Sequence, residues 1–471
     1  MATDESTPLL ENSQAKTKTP LPKIQLGLTL FVLFSQPMSS QYIFPFINQL
    51  IRELGVTGGD DRKIGYYAGV IESLFFATQA LTVLCWSRLS DYVGRKPVLL
   101  VGLAGLSVSN LCFGLSREFW ALVGSRCIAG ALNGNVGVMK SIIGEITDTT
   151  NMAQAFALIP IVFFVGASIA PLFGGGLVKP HDRWPELFSG SFWVQYPYFL
   201  PSLVSASFTA FSFFVAALFL KESLPSKRHE KELQPERGSI VPQVDTPSDA
   251  DASPVPIRTL LKTYSVIITM ANYGILGLIE IGCFALAPLV YATPIEVGGL
   301  GLPPFTIGVI MMAFCVGNGL LQALFTAPAI ERFGERRVFR SAVLAFFPMI
   351  ATFPAMSWVI SVQKEVGLAI WVLIFAQMLS WAVGEMAYAV IFVFVTRASP
   401  NKYSLGTMNG LSQTTTSIAR AMGPVTFTSL FAFSKEYNLL GGNLVYVVLL
   451  IFLSLLVLLS RCLPELKKDQ R

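Results

Sequence analysis

The chain has 471 residues, of which 53% are hydrophobic and only 13% charged, with 36 Phe and a net charge of +5. A soluble domain carries about 25% charged residues, so this composition argues against a water-soluble enzyme, and apolar runs reaching the ~20 residues that cross a bilayer as helix point to a polytopic membrane protein. The positive charge suits loops facing anionic lipid and gives no sign of nucleic-acid binding.

Residues 1-23 form a polar N-terminal tail containing Glu5-Ser6-Thr7-Pro8-Leu9-Leu10, an acidic dileucine pattern of the kind read by sorting adaptors. Six apolar spans follow at about 24–47, 64–86, 97–116, 119–142, 154–178 and 196–220, an N-terminal six-helix bundle over 24-220. The first span is long enough to cross a bilayer and follows a polar head, so it reads as a span and not as a signal peptide. Residues 221-261 are rich in Pro, Ser and charge and read as a flexible cytosolic linker. Six more spans, at about 262–291, 304–330, 338–360, 367–396, 404–433 and 442–463, make a C-terminal six-helix bundle over 262-463. Residues 464-471 close the chain as a cytosolic tail. The expected architecture is an all-α membrane protein with twelve transmembrane helices in two six-helix bundles, the layout of a duplicated transporter.

Orientation follows from Lys and Arg. With both termini cytosolic, the inside segments hold 23 basic residues and the outside loops eight, the bias that sets topology. The six cysteines lie in or beside apolar segments without a CxxC pair, and the two histidines, His181 and His229, lie in loops. Neither a disulfide framework nor a zinc or histidine metal site is expected. No Walker phosphate loop is present, which argues against ATP-driven transport.

The loop between spans two and three reads Ser87-Arg88-Leu89-Ser90-Asp91-Tyr92-Val93-Gly94-Arg95-Lys96-Pro97. Asp91 can accept hydrogen bonds from a neighbouring helix N-terminus, Gly94 permits the reversal, and Arg95 and Lys96 hold the loop on the cytosolic side. A degenerate copy recurs from Ala327 to Arg337, with Glu331, Gly334, Arg336 and Arg337 in the corresponding places.

An ionisable group inside a bilayer costs at least ~2.5–3.5 kcal/mol on insertion scales, so each needs a partner or a task. Arg126 on span four, with Gly130 one turn on, is the clearest case: it tunes a nearby carboxylate or senses a proton or anion, or else is an ion-pair partner near a helix end. Glu72, Glu280 and Glu385 are the candidate proton-coupling acids, whereas Glu145 reads as a partner for the loops. On span five, Gly166, Ala170 and Gly174 repeat every four residues beside Pro171 and Gly175, which gives a flat face and a hinge. Arg420, with Gly423 and Pro424, echoes this in the second half. Polar and aromatic candidates for a substrate cavity are Gln36, Ser39, Ser40, Gln41 and Tyr42, then Asn133, Asn272, Tyr273, Asn318 and Gln322, and finally Gln377, Trp381 and Tyr388.

With these residues placed, the chain resembles the major facilitator superfamily from about Ile24 to Leu463. The Asp91 to Lys96 loop resembles its signature between helices two and three, Arg126 with Gly130 its helix-four motif, and Gly166 to Gly175 the helix-five motif typical of proton antiporters. Tyr67 to Ser73, Trp86 to Asp91, Lys221 to Pro225 and Gly406 to Leu411 resemble the fungal and plant drug:proton antiporters that include zinc-induced-facilitator-like proteins. Two departures are Ser87, in place of the loop's first glycine, and Ala170, in place of the glycine before Pro171. By this resemblance Asp91 and Arg95 lock the inward-closed arrangement, Arg126 takes part in proton coupling, and Pro171 with its glycines shapes the antiport core.

The expected function is secondary active transport, most simply proton-coupled antiport of an amphipathic organic compound by alternating access. The coupling ion is the proton, with no cofactor and no metal. The partners are a small-molecule substrate, the lipid bilayer and a sorting adaptor, the chain being a monomer in a vacuolar, endosomal or plasma membrane. The rivals are a nutrient or metal-chelate symporter or uniporter, and a transporter-like sensor that has lost transport.

Overall fold

The computed structural model describes residues 19–147, 151–223, 257–398 and 405–463. The dileucine pattern, nearly all of the linker and the side chain of Asp91 lie outside the described residues. Within a bilayer every backbone N–H and C=O must be satisfied inside its own segment, which leaves long apolar runs the α-helix.

The first half comprises α1 (Lys23–Ser40), α2 (Ile64–Val93), α3 (Arg95–Leu115), α4a (Phe119–Leu132), α4b (Asn135–Ile146), α5 (Met152–Gly176) and α6 (Phe199–Phe219). The second comprises α7 (Tyr264–Ala292), α8a (Pro304–Leu321), α8b (Ala327–Phe333), α9 (Glu335–Gln363), α10 (Leu368–Arg397), α11 (Leu405–Glu436) and α12 (Leu444–Arg461). Taken with their breaks these are twelve spans. Seven of them, among the described residues, are long and apolar enough on composition alone to cross a membrane.

Three spans depart from the single helices expected. Span one stops at Ser40, turns through residues 41–46 and resumes as the short helix Ile47–Glu53. Span four divides at Asn133, which takes φ −86° and ψ 51°. There α2 supplies the missing donors: Trp86 Nε1 donates to the Ala131 carbonyl at 2.6 Å and Gln79 Nε2 to the Asn133 carbonyl at 3.1 Å. Side-chain donors thus replace the helical N–H groups the break removes. Span eight passes through a π-turn at Gln322–Thr326, where Gln322 Nε2 donates to the Ala382 carbonyl on α10 at 3.1 Å.

The halves meet along two seams, α2 against α11 and α5 against α8a. Small residues let these backbones touch: a Cβ added at Gly65 would strike the Thr428 carbonyl, at Gly175 the Pro304 carbonyl, and at Gly308 the Pro171 carbonyl. Polar links between the halves, among the described residues, lie at or towards the end away from the linker. Lys63 Nζ is 3.7 Å from Glu436 Oε1, Tyr66 donates to Glu436 Oε2 at 3.2 Å, and Arg52 Nη2 donates to the Ala292 carbonyl at 3.3 Å. Two to three turns deeper, Val425 N–H donates to Ser73 Oγ at 2.9 Å. The two bundles are joined at that end.

Candidate functional site

Two groups of buried charge occupy the molecule. In the first half Arg126 projects from α4a and is 2% exposed, with its guanidinium carbon 4.5 Å from the Phe113 ring centroid and 5.6 Å from that of Tyr42. Glu72, 4% exposed on α2, and the Tyr42 hydroxyl lie within its electrostatic reach. Among the described residues, Arg126 Nε and Nη2 and Glu72 Oε2 have no hydrogen-bond partner. The cation is therefore held by aromatic ring faces and by the field of one carboxylate, in a setting where unfilled hydrogen-bonding capacity is costly. Gly130 is where α4a reaches α2, since a Cβ there would meet the Phe75 carbonyl.

The second group faces a cavity of about 100 Å³ between the halves. The first half lines it with Gln36, Ser40 and Gln41 and with Phe76, Phe163 and Phe164. The second half contributes Glu280 from α7, Asn318 and Cys315 from α8a, Glu385 from α10 and Arg420 from α11. Trp381 Nε1 donates to Glu385 Oε1 at 3.1 Å, and the Tyr388 hydroxyl donates to Glu280 Oε2 at 3.3 Å. Arg420 acts on Glu280 through space without closing a salt bridge on it among the described residues. All the charge on the wall thus belongs to one half, and the other half is amide, hydroxyl and ring.

Of the residues expected to form the site, the structure brings Gln41, Asn318, Glu280, Glu385 and Arg420 to this cavity, with Trp381 and Tyr388 directly behind the acids. Tyr273 packs edge-on against Tyr388 with ring centroids 6.0 Å apart. Gln322 holds the π-turn. Others lie elsewhere, because a polar side chain inside a bundle takes the nearest acceptor or donor. Tyr42 lies under Arg126 with its hydroxyl 3.3 Å from Ser202 Oγ, and Asn133 sits at the break in span four. Asn272 donates to the Ile268 and Leu459 carbonyls at 2.8 and 3.3 Å, and Gln377 accepts from the Tyr291 hydroxyl. Glu72 is in the other group, with Arg126. Sequence reasoning missed the phenylalanines of the cavity, which nothing distinguishes among 36.

Gly166 and Gly174 seat α5 on span one, since a Cβ would meet the Pro37 ring of α1 and the Tyr42 carbonyl of the turn that follows it, respectively. Pro171 and Gly175 lie on the seam with α8a. At the linker end, Gly94 takes φ +115° between α2 and α3, a conformation few other residues adopt. Behind it, the Glu222 carboxylate accepts from the Arg95 and Lys96 N–H groups at 2.9 and 3.1 Å and so caps α3. Arg95 Nη2 donates to Glu145 Oε1 at 2.8 Å, and Lys96 Nζ to the Ala217 carbonyl at 2.8 Å. The second copy is looser. Gly334 repeats the positive φ at +81°, Glu331 is exposed, and Glu335 meets Arg397 at 3.3 Å.

Residues 29–424 match the Major Facilitator Superfamily profile. The chain belongs to the major facilitator superfamily. It is 32% identical to the major facilitator-type transporter psiT2 of Psilocybe cyanescens over 95% of this chain and 91% of that protein. It is 28% identical to the efflux pump azaK of Aspergillus niger, covering 98% and 95% of the two chains. The ZINC INDUCED FACILITATOR-LIKE 1 protein of Arabidopsis thaliana is 27% identical, over 90% and 87%. Among solved structures, an inward-facing, unoccupied bacterial homologue of the human lysosomal transporter Spinster superposes with a TM-score of 0.67 at 15% identity, covering 93% and 97%. The chain is accordingly an integral, multi-pass membrane transporter with the twelve-helix fold of this superfamily.

Proposed function

We propose that this transporter is a proton-coupled antiporter that exports, or sequesters in a vacuole, an amphipathic organic compound by alternating access. The observation that carries this is the pair of acids, Glu280 and Glu385, facing one cavity between the two bundles. Carboxylates in that position can hold either a proton or a substrate, and each occupant shifts the balance between two states only through its differential affinity for them. Similarity to an efflux pump supports outward movement. The linker end is cytosolic, by the 23-to-eight asymmetry of basic residues. The proton is the coupling ion, the unit is a monomer, and the membrane is the vacuolar or endosomal one to which the dileucine pattern points, or the plasma membrane.

The test is flux in proteoliposomes under an imposed pH gradient, with a fluorescent organic cation and a labelled organic acid run in parallel. Gradient-driven flux that disappears in Asp91→Asn and in Glu385→Gln is the expected result. Flux indifferent to the gradient makes the protein a uniporter, and no flux of either probe favours a sensor. Undiminished coupling in Glu72→Gln, Glu280→Gln and Glu385→Gln alike would remove these acids from the mechanism.

A further inference from the structure

Away from the space between the bundles, a groove of about 560 Å³ runs between α3 and α4a. Its walls are Cys112 and Leu115 from α3 and Ala121, Gly124 and Ile128 from α4a. Leu115 and Ile128 are 43% and 51% exposed, and a Cβ added at Gly124 meets nothing within 4 Å. The hydroxyls that border the groove are turned to their own helices: Ser116 Oγ donates to the Cys112 carbonyl at 2.6 Å and Ser125 Oγ to the Leu122 carbonyl at 2.7 Å. An apolar groove open on the outer surface of a membrane protein faces lipid tails.

Both charges of the groove lie at one rim. Arg117 and Glu118 join α3 to α4a at the end away from the linker, and both are exposed. Arg117 is held by neutral groups alone. Its Nε and Nη2 donate to the Gln195 carbonyl at 3.3 and 3.2 Å, the Gln195 amide oxygen, turned toward it, lies 2.7 and 2.9 Å from Nη2 and Nη1, and the Tyr196 ring centroid is 4.6 Å from the guanidinium carbon. Neither Arg117 nor Glu118 forms an ion pair among the described residues. Trp120, 75% exposed, stands beside them, and exposed tryptophans of this kind mark the level of the headgroups. From Glu118 to Ile128 the helix rises about 15 Å, which is one leaflet of the ~30 Å hydrocarbon core.

We infer that this groove is a lipid site, which takes one zwitterionic phospholipid from the leaflet on the side away from the linker. The phosphate meets Arg117, the cationic end of the headgroup meets Glu118, and an acyl chain lies along Gly124 and Ile128. Neighbouring opposite charges, each without an ionic partner, match a headgroup that carries one of each, whereas a purely anionic headgroup sets its charge against Glu118 with nothing to offset it. Arg126 projects from the far side of the same helix, about 200° around from Gly124, so the lipid and the sealed charge press α4a from opposite sides. The site stands independently of the antiport reading.

Native mass spectrometry of the full chain in detergent tests this, with three lipids that share palmitoyl and oleoyl chains: the phosphatidylcholine, the phosphatidylglycerol and the uncharged diacylglycerol. One phosphatidylcholine is expected to be retained at least tenfold more tightly than either of the others. Gly124→Leu fills the groove with a residue that suits a helix better than glycine does. It should lower retention of all three lipids at least tenfold without lowering the melting temperature of the lipid-free protein, and Ala121→Leu, nearer the rim, should act in the same direction. Glu118→Gln should bring phosphatidylglycerol level with phosphatidylcholine, and Arg117→Gln should bring phosphatidylcholine down to the diacylglycerol. Tightest retention of phosphatidylglycerol, equal retention of all three lipids, or retention unchanged in both groove-filling variants overturns the assignment.

Discussion

The two halves of the molecule carry the same kinds of device at different depths. In the first, Glu72 and Arg126 are sealed among rings, with donors and acceptors left unfilled. In the second, Glu280, Glu385 and Arg420 line a space between the bundles, and the acids are held from behind by Trp381 and Tyr388. A sealed charge has no access to ligand and acts on stability and on the balance of states, whereas a lining charge can meet substrate directly. The same acid and arginine types thus stand in two settings, one sealed and one lining a cavity.

Three sets of substitutions sharpen that division. The largest effect on transport is expected from the double change Glu280→Gln with Glu385→Gln, which should reduce gradient-driven flux to the level of empty liposomes while the melting temperature barely moves. The largest effect on stability belongs to the sealed site. Glu72→Gln leaves Arg126 as a buried, uncompensated charge, a class of change that costs about 3–5 kcal/mol. Adding Arg126→Met should recover part of this, with a coupling of about 0.5–3 kcal/mol, measured by thermal melting of the four proteins of the cycle. Additive losses would mean that the two residues do not sense each other. Between these lies Gly175→Ala, whose Cβ would press on the Pro304 carbonyl across the seam. Overpacking of this kind costs about 1–3 kcal/mol, here charged to the state joined at the far end. Spin-label distances across that end should lengthen, while Gly124→Ala, which meets nothing within 4 Å, should leave them unchanged.

The division between sealed and lining charge was only partly legible from the chain. Twelve spans follow from apolar length, because a bilayer leaves a long apolar run little choice but helix. The break at Asn133 and the π-turn at Gln322 do not follow, since each depends on a partner from another helix: Trp86 and Gln79 in one case, the Ala382 carbonyl in the other. All three candidate acids are visible as intramembrane carboxyls, but not that Glu72 parts company with Glu280 and Glu385. Tyr42 and Asn272 resemble cavity residues in composition and are spent on Ser202 and on helix carbonyls. Which acceptor is nearest is a property of packing, and a single sequence does not carry it.

The two loops test the same rule at the smallest scale. Arg95 is 8% exposed and meets Glu145 through both Nε and Nη2, at 3.0 and 2.8 Å, while Ser223 Oγ holds the other carboxylate oxygen at 2.6 Å. Glu335 meets Arg397 at a single 3.3 Å contact, with the arginine side chain 49% exposed. Hydrogen bonds to charged groups are worth about 1.5–3 kcal/mol when enclosed, and exposed pairs about 0–1 kcal/mol. Glu145→Gln should therefore lower the melting temperature clearly, whereas Glu335→Gln should do so barely and lose even that in high salt, which screens exposed pairs most. Equal losses would mean that the second copy of the loop depends on the exposed Glu335–Arg397 pair as much as the first depends on its buried one, and that burial does not separate the two halves at this end.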